Sequence, residues 1–593
     1  MLSIYIHNNG GGFLDLEPNT QLDIEETMPA YDEDLNTGEY SLPYEGILWT
    51  DNNRRLLAHA EQFNLSAPAA TFVCSVYNNR FPEIVQGKLT LLGKDGNLNF
   101  RKGKFKVTIS GGKGVYGTAI SNKKLTDLEL GGKITWAGMD SRQFAKAHMI
   151  DGDYPQYYYL SFAPVAIPDF FDTERSDYSG EMLVYDTANN MLGATFARPR
   201  SDNPTLPATE GTEEYKDYRT IPFFQLKYVL KKCFIEYGFT VSGAIVDDAW
   251  SNRLFMYNNR AIEQYSSNGY DLTRAIVPAQ HMPDVSIKDF LVAVLGLFGA
   301  YPVFEVNGEV VLKYRKDKSK SVLSINHISG AKFESEIPEY GITPGYTLSY
   351  QPGDDDSWSE RVKDISANTI AATVTLASQL ATLDIGRMFT TDDLVLVESE
   401  NMYYRPADAT TLPVTLWDAW CEKLHDYVKG DGEEKKSYDI TPLCRHTEFD
   451  EDDNITTIKN YCSIRQKGSY INNRGALVKN PFGLHLFYVR YDVTFYPKVI
   501  SHTHNRHTDN TLLETYSLAW NGPAGLAESF HTAWLDAQQK KEEVKLPVLL
   551  NSRTLAEIKQ AGRLQVNGVQ FTLKKIERSI PQRQMATLYL LPV

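Results

Sequence analysis

Cysteine is scarce in this sequence. Five occur in 593 residues: Cys74, Cys233, Cys421, Cys444 and Cys462. None forms a C-x-x-C pair, which excludes a disulfide framework and a zinc ribbon. The odd number points to free thiols and a reducing compartment of synthesis. Long apolar runs are missing too. The longest uncharged stretch, Phe290 to Phe304, is interrupted by Gly299 and Pro302 and is too short to span a bilayer. The opening residues, MLSIYIHNNGGG, show no basic region followed by an apolar one, so no secretion signal is expected. Basic residues are outnumbered, 60 Lys and Arg against 75 Asp and Glu, for a net charge of −15. That balance disfavours a surface that grips nucleic acid, which needs clustered cations, but not a surface past which DNA slides. The expectation is a soluble protein made in a cytoplasm, with no stable membrane insertion.

Catalytic motifs are also absent. There is no G-x-S-x-G elbow, Walker A loop or H-E-x-x-H. Four partial constellations remain. Gly112 to Gly117 (GKGVYG) matches the dinucleotide fingerprint by spacing, but no helical stripe or βαβ unit follows, so a glycine-rich turn between strands is expected. His502, His504 and His507 sit among Thr, Asn, Arg506 and Asp509, which reads as a polar loop and leaves metal binding open. Asp450, Asp452 and Asn454 begin like a calcium loop. Ile455 stands where glycine is required and Tyr461 where a bidentate glutamate is required, which excludes an EF-hand. Cys421 and His425 lie one helical turn apart beside Leu416, Trp417 and Trp420, and a half-buried helix is expected rather than a nucleophile. No catalytic, cofactor-binding or metal-binding residue is assigned, no cofactor is expected, and the chain does not read as an enzyme.

What is present is aromatic and β-prone. Apolar residues make up 42% and aromatics 12%, with 35 Tyr and 27 Phe. The length calls for several domains. Residues 1–140 carry alternating runs, Leu2–His7, Leu35–Trp49, Phe72–Tyr77, Glu83–Leu92 and Phe105–Ile109, and read as a β-domain of hairpins. Residues 141–215 read as an irregular extension and linker, rich in Pro and acidic residues near its end. Residues 216–330 form an α/β module. Phe223, Leu226, Val229, Leu230, Cys233, Phe234 and Tyr237 make one helical stripe that ends at Gly238. Ser286 caps a second helix with Ile287, Phe290, Leu291, Val294, Leu295 and Phe298 at helical spacing. Gly299 ends it, and Asn307-Gly308 turns the hairpin that follows. Residues 331–520 return to β-type runs, with Gly430–Lys436 as an exposed tip. Residues 521–593 give a helix faced by Leu526, Phe530, Ala533, Trp534 and Ala537, then strands and a second Asn-Gly hairpin at Asn567-Gly568. The repeated hairpin raises an architectural duplication. The class is α+β, mainly β, in several domains.

The order of four stretches resembles a known family. These are Gly38-Glu39-Tyr40-Ser41-Leu42-Pro43-Tyr44 with Asp51-Asn52-Asn53-Arg54; Pro222 to Gly238 leaving through Phe239-Thr240-Val241; Ser286 to Tyr314; and Trp534 through Leu549 to Val566-Asn567-Gly568 and Lys574-Lys575-Ile576. Together they are similar to tail-hub proteins of phages and prophages of Bacteroides-type bacteria, within the wider group of baseplate hub and tail-associated proteins. The resemblance implies two β-barrel-like domains and two helix-containing α/β domains. It implies a homotrimeric ring at the distal end of the tail tube, joining tube to tip and gating DNA passage. Its partners would be the distal tail or tube protein, the tape measure protein and tip or fibre proteins, with DNA passing unbound, and its location the virion. Two other readings compete: a receptor-binding or fibre-attaching tail component, and a carbohydrate-active enzyme.

Overall fold

Alternating apolar residues build most of this molecule. In Leu2–Ile6 the side chains of Leu2, Ile4 and Ile6 point inward, and in Lys104–Ser110 those of Phe105, Val107 and Ile109 do the same. A computed structural model describes most of residues 1–33, 39–59, 71–92, 104–135, 221–305, 308–325 and 524–593, with shorter stretches between 159 and 192 and between 334 and 520. Strand outweighs helix, and the class is α+β, mainly β. Among the described residues no helix is long and apolar enough to cross a membrane.

The largest unit is a 14-stranded sheet, and the fold includes a half-barrel. Its path runs from Gly12–Phe13 through Leu2–Ile6, Thr71–Asn78, Phe81–Leu91, Lys104–Ser110, Glu39–Ser41 and Leu22–Thr27. It continues through Val569–Ile580, Met585–Pro592 and Val544–Leu549 to Glu334–Ser335. The first and last segments of the chain therefore share one sheet. Leu22–Thr27 lies antiparallel to Val569–Ile580, from Leu22 opposite Ile580 to Thr27 opposite Lys575. Ile580 joins Leu22, Ile24, Phe72, Val76 and Phe105 in one core, while Ile576 joins Leu546, Leu564, Phe571 and Leu588 in the next. Charged pairs tie the two ends of the chain together here: Lys575 to Glu25 across the seam at 3.0 Å, Lys559 of the helix Ser552–Gln560 to Glu26 at 2.6 Å, and Arg578 to Glu83 of Phe81–Leu91 at 2.6 Å. Both side chains of the last pair are only 8% exposed.

Several expectations change. The run over 35–49 forms two strands, Glu39–Ser41 and Tyr44–Leu48, because Pro43 between them has no N–H for a ladder. Gly112–Gly117 opens a helix, Gly112–Ser121, rather than a turn. Tyr116 and Ile120 are buried in the main core, and Gly117 lets the helix approach the Leu35 backbone. A Cβ there would lie 2.5 Å from the Leu35 carbonyl. The preceding strand pairs only antiparallel, so no βαβ crossover accompanies the helix. The segment around Cys421 is a strand, Trp417–Glu422, paired with Met402–Pro406 and not a helix. Its aromatic residues suit a pleated surface, and sheet pairing overrides the helical spacing. The expected tip at 430–436 is only partly one. Gly430 and Asp431 are exposed, but Glu434–Tyr438 and Tyr427–Lys429 clasp Tyr346–Tyr350 between them, and Gly432 is buried.

The helix and hairpin at 286–314 form as expected. Ser286 Oγ accepts the Asp289 N–H at 3.0 Å and donates to its carboxylate at 2.6 Å. Ile287, Phe290, Leu291, Val294, Leu295 and Leu297 are buried in the main core. Gly299, at φ +56°, ends the helix. Ala300–Phe304 then pairs with Glu309–Tyr314, and Thr240–Gly243 runs parallel to Glu309–Tyr314 on its other side. The turn is longer than a two-residue one: Phe304 faces Val310, and Gly308 donates to the Glu305 carbonyl at 3.2 Å with φ +83°. The second hairpin is the tight form, with Val566 facing Val569 and both Asn567 (φ +51°) and Gly568 (φ +83°) left-handed. Its parallel neighbour, Val322–Ser324, joins the first hairpin strand instead of the second. The two units share a hairpin and differ in what flanks it.

One polar side chain anchors the N-terminal part of the large sheet. Asn53, fully buried, accepts the Asp15 N–H at 2.8 Å and donates to the carbonyls of Asp15 (2.8 Å) and Leu48 (2.7 Å). It belongs to the short helix Asp51–Leu56, capped by Thr50, whose hydroxyl accepts the Asn53 N–H.

Candidate functional site

None of the partial constellations in the sequence forms a site among the described residues. His502, His504, His507, Asp450, Asp452, Asn454 and His425 lie outside them. Ile455–Ser463 is a strand, so no helix follows the acidic loop as an EF-hand requires. No group of three or more His, Cys, Asp and Glu among the described residues is placed to hold a metal. Cys74 and Cys233 are free and buried, and burial pushes both thiols up, that of Cys74 to about 12. Both are therefore poor nucleophiles at neutral pH.

The structure concentrates unusual backbone elsewhere, at the start of the C-terminal helix. Ala527–His531 is a π-helical turn leading into the α-helix Thr532–Gln539, with the Thr532 N–H bonded to the Ala527 carbonyl. Each residue inside the turn meets a different element. Glu528 accepts the Tyr427 hydroxyl at 3.0 Å. The Ser529 carbonyl accepts Lys316 Nζ at 2.7 Å. Phe530 packs against Gly299, where a Cβ would lie 2.7 Å from the Phe530 carbonyl. His531 Nε2 donates to the Leu297 carbonyl at 2.9 Å. The helix beyond carries Asp536, which accepts Lys429 at 2.6 Å and the Tyr346 hydroxyl at 3.1 Å.

Lys316 sits in an aromatic cage. Its ammonium lies 4.5 Å from the centre of the Phe530 ring, 5.1 Å from that of Tyr314 and 5.4 Å from that of Tyr516. Burial lowers its pKa, against the opposing charges of Asp317 and Asp248. Beside the cage runs a strained loop. Ile245 is fully buried at φ +65°, which is unfavourable for a β-branched residue. Asp248 holds it there, accepting the Ile245 N–H at 3.0 Å, Trp250 Nε1 at 3.2 Å and the Tyr314 hydroxyl. Burial and the Asp248 carboxylate push the Tyr314 hydroxyl far up, so it stays a donor.

A strap from the N-terminal sheet closes over the other side. Pro29–Tyr31 makes one 3-10 turn. The buried Arg315 donates to the Ala30 carbonyl at 2.9 Å. Tyr31 stacks at a tilt on Trp534, 4.8 Å between ring centres, and its hydroxyl meets Thr572 Oγ1 at 2.9 Å. Glu33 pairs with Lys436 at 2.7 Å. Burial works against ionisation of Glu33, but Lys436 and Arg315 outweigh it and hold its carboxyl below the usual range. Burial, with Arg315 and Lys436 adding, lowers the His531 imidazole to about 4, against the pull of the Leu297 carbonyl and Glu33.

The arrangement binds segments of the chain to one another. Asp248, Tyr314, Lys316, His531 and Glu33 each face protein donors, acceptors or rings, and no nucleophile stands beside a base among them. Sequence reasoning assigned none of these residues. No sequence signal marks the π-turn, because Leu526, Phe530, Ala533, Trp534 and Ala537 also make an ordinary α-helical face. Comparison with known proteins leaves the chain without a shown family: no protein-family model matches it, and no curated protein matches it.

Proposed function

We propose that this chain is the structural tail hub of a phage or phage-derived particle, a homotrimeric ring at the distal end of the tail tube that joins tube to tip and gates DNA passage. It acts in the virion and has no catalytic role. The observation that carries the reading is the large open sheet. Among the described residues its main path of 11 strands ends at Gly12–Phe13 on one side and Glu334–Ser335 on the other, so the sheet presents edges instead of closing on itself. Beside the first edge lies an exposed aromatic face. Phe13, 56% exposed, meets Tyr5 at 5.0 Å and Tyr77 at 6.2 Å between ring centres. Aromatic residues of this kind are enriched in permanent interfaces. The net charge of −15 suits a lumen that DNA crosses without binding. The tube protein, the tape measure protein and tip or fibre proteins are the partners this role requires.

The test is the mass of the purified chain, alone and mixed with its tube protein, measured by mass photometry and imaged by negative stain. A ring of three copies with an axial channel is expected. A monomer that stays monomeric with the tube protein present would overturn the reading. The same aromatic face also suits stacking on sugar rings, which favours a receptor-binding tail component as the second reading. Binding of host glycans by a monomer, abolished by Phe13→Ala, would select it.

A further inference from the structure

The π-turn at Ala527–His531 has two sides. On one, Ser529 and Phe530 engage Lys316 and its cage. On the other, the helix that the turn launches carries Trp534 against Tyr31 of the strap and Asp536 against Lys429. A π-turn holds one residue more than an α-turn and is frequently found at functional sites. Closing it into α geometry removes that residue from the turn. Everything from Thr532 onward would then rotate by roughly 100° and advance by roughly 1.5 Å relative to Leu526. Trp534 would leave the Tyr31 ring, and Asp536 would leave Lys429.

We propose that Ala527–His531 is a two-state register element, latched in its π form by Lys316 within the cage of Tyr314, Tyr516 and Phe530, and that unlatching it loosens the Pro29–Glu33 strap. Three observations support this. The Ser529 carbonyl inside the turn is taken up by a cation from outside the helix. The cage is built on the strained Gly243–Ser251 loop, since Tyr314 is fixed by Asp248 and by the N–H of Ile245 at 3.1 Å. The strap meets the launched helix through the ring of Tyr31 on Trp534, while Arg315, Thr572 and Lys436 hold it to other elements, so loss of the ring contact loosens the strap without detaching it. Population of a second state is then set by how well the ammonium is held. The device belongs to the chain itself and stands whether or not the hub reading does.

Hydrogen exchange read by mass spectrometry on the full chain tests it. Lys316→Met keeps an unbranched side chain and removes the charge. Exchange in peptides over 526–539 and over 28–33 is expected to accelerate at least tenfold together, with Lys104–Ser110 and Met585–Pro592 unchanged. Lys316→Arg restores a cation to the cage and is expected to return both regions to within threefold of the native rate. Acceleration at 526–539 alone, equal acceleration everywhere, or the same behaviour for the Met and Arg variants would each overturn the proposal. Should Lys316→Met fail to fold, Tyr516→Leu opens the half-buried wall of the cage. At least threefold acceleration of both regions is expected, and no change in either overturns it.

Discussion

Asn53 illustrates how a single amide can fix a fold. Its one acceptor and two donors are matched to three backbone groups of Asp15 and Leu48, so removing it takes this partner from the Asp15 N–H and the Leu48 carbonyl, while the Asp15 carbonyl keeps the Leu48 N–H at 3.1 Å. Asn53→Leu is expected to cost about 1–3 kcal/mol in urea denaturation, on the scale of unsatisfied buried groups. The sequence shows Asp51-Asn52-Asn53-Arg54 as a polar run, and nothing in that run says which asparagine turns inward. Buried histidines give a second prediction. His531 is held at about 4 and His281, mainly by burial with Arg260 adding, at about 3, both below the ordinary value of 6.5. His281 is placed by Nδ1 donating to Asn258 Oδ1 at 3.2 Å. As pH falls, the unfolded chain takes up these protons before the folded one does. Stability from each is complete above pH about 6.5 and then falls by about 1.4 kcal/mol per pH unit, to pH about 4 for His531 and about 3 for His281. Urea midpoints measured at pH 7.5, 6.5 and 5.5 should drop between the last two, and His531→Gln should make that drop shallower.

At the scale of elements, period-2 runs and capped amphipathic helices were legible. Leu2–Ile6, Thr71–Asn78, Phe81–Leu91 and Ile287–Leu297 all fall where apolar spacing places them. What misled was composition overriding context. The glycines of Gly112–Ser121 read as a turn, yet one of them permits close packing on Leu35. Gly117→Ala is expected to destabilise by about 1–3 kcal/mol, the usual cost of overpacking, since the atom it meets is backbone. The π-turn was illegible for another reason: its partners Lys316, Tyr427 and Leu297 are supplied by distant segments. The helix Ile287–Leu297 allows a contrasting pair of tests. Leu295 is buried, and Leu295→Asp should abolish soluble expression. The Glu309 carboxylate lies at the strand surface and accepts the Ser242 hydroxyl at 2.8 Å, and Glu309→Ala should shift the urea midpoint by less than about 1 kcal/mol equivalent.

For the molecule as a whole, the governing feature is the seam between Leu22–Thr27 and Val569–Ile580. Reading the chain in order separates residues 1–140 from 521–593, because strand patterns carry no address for their partners. The pairing becomes evident only in three dimensions, and so does the junction of strap, cage and π-turn. Arg578 on the seam and Glu83 on Phe81–Leu91 test how the two ends of the chain are tied. Arg578→Met leaves a buried carboxylate unpaired and is expected to cost about 3–5 kcal/mol. Adding Glu83→Gln should recover most of that loss, and a double variant as unstable as the single one would show that the pair does not act as a unit.

That seam also sets a clock on the newborn chain. Asp23 and Ser579, which hydrogen-bond across it, stand 556 positions apart. At a synthesis rate of about 5–20 residues per second, the edge of Leu22–Thr27 waits roughly half a minute to two minutes for its last neighbour to leave the ribosome. During that interval an unpaired strand edge, with Leu22 and Ile24 uncovered, is available to any other chain nearby. A ribosome-bound chaperone, or a slow translation rate early in the gene followed by a fast one late, would alter the yield of this protein more than its final stability would suggest.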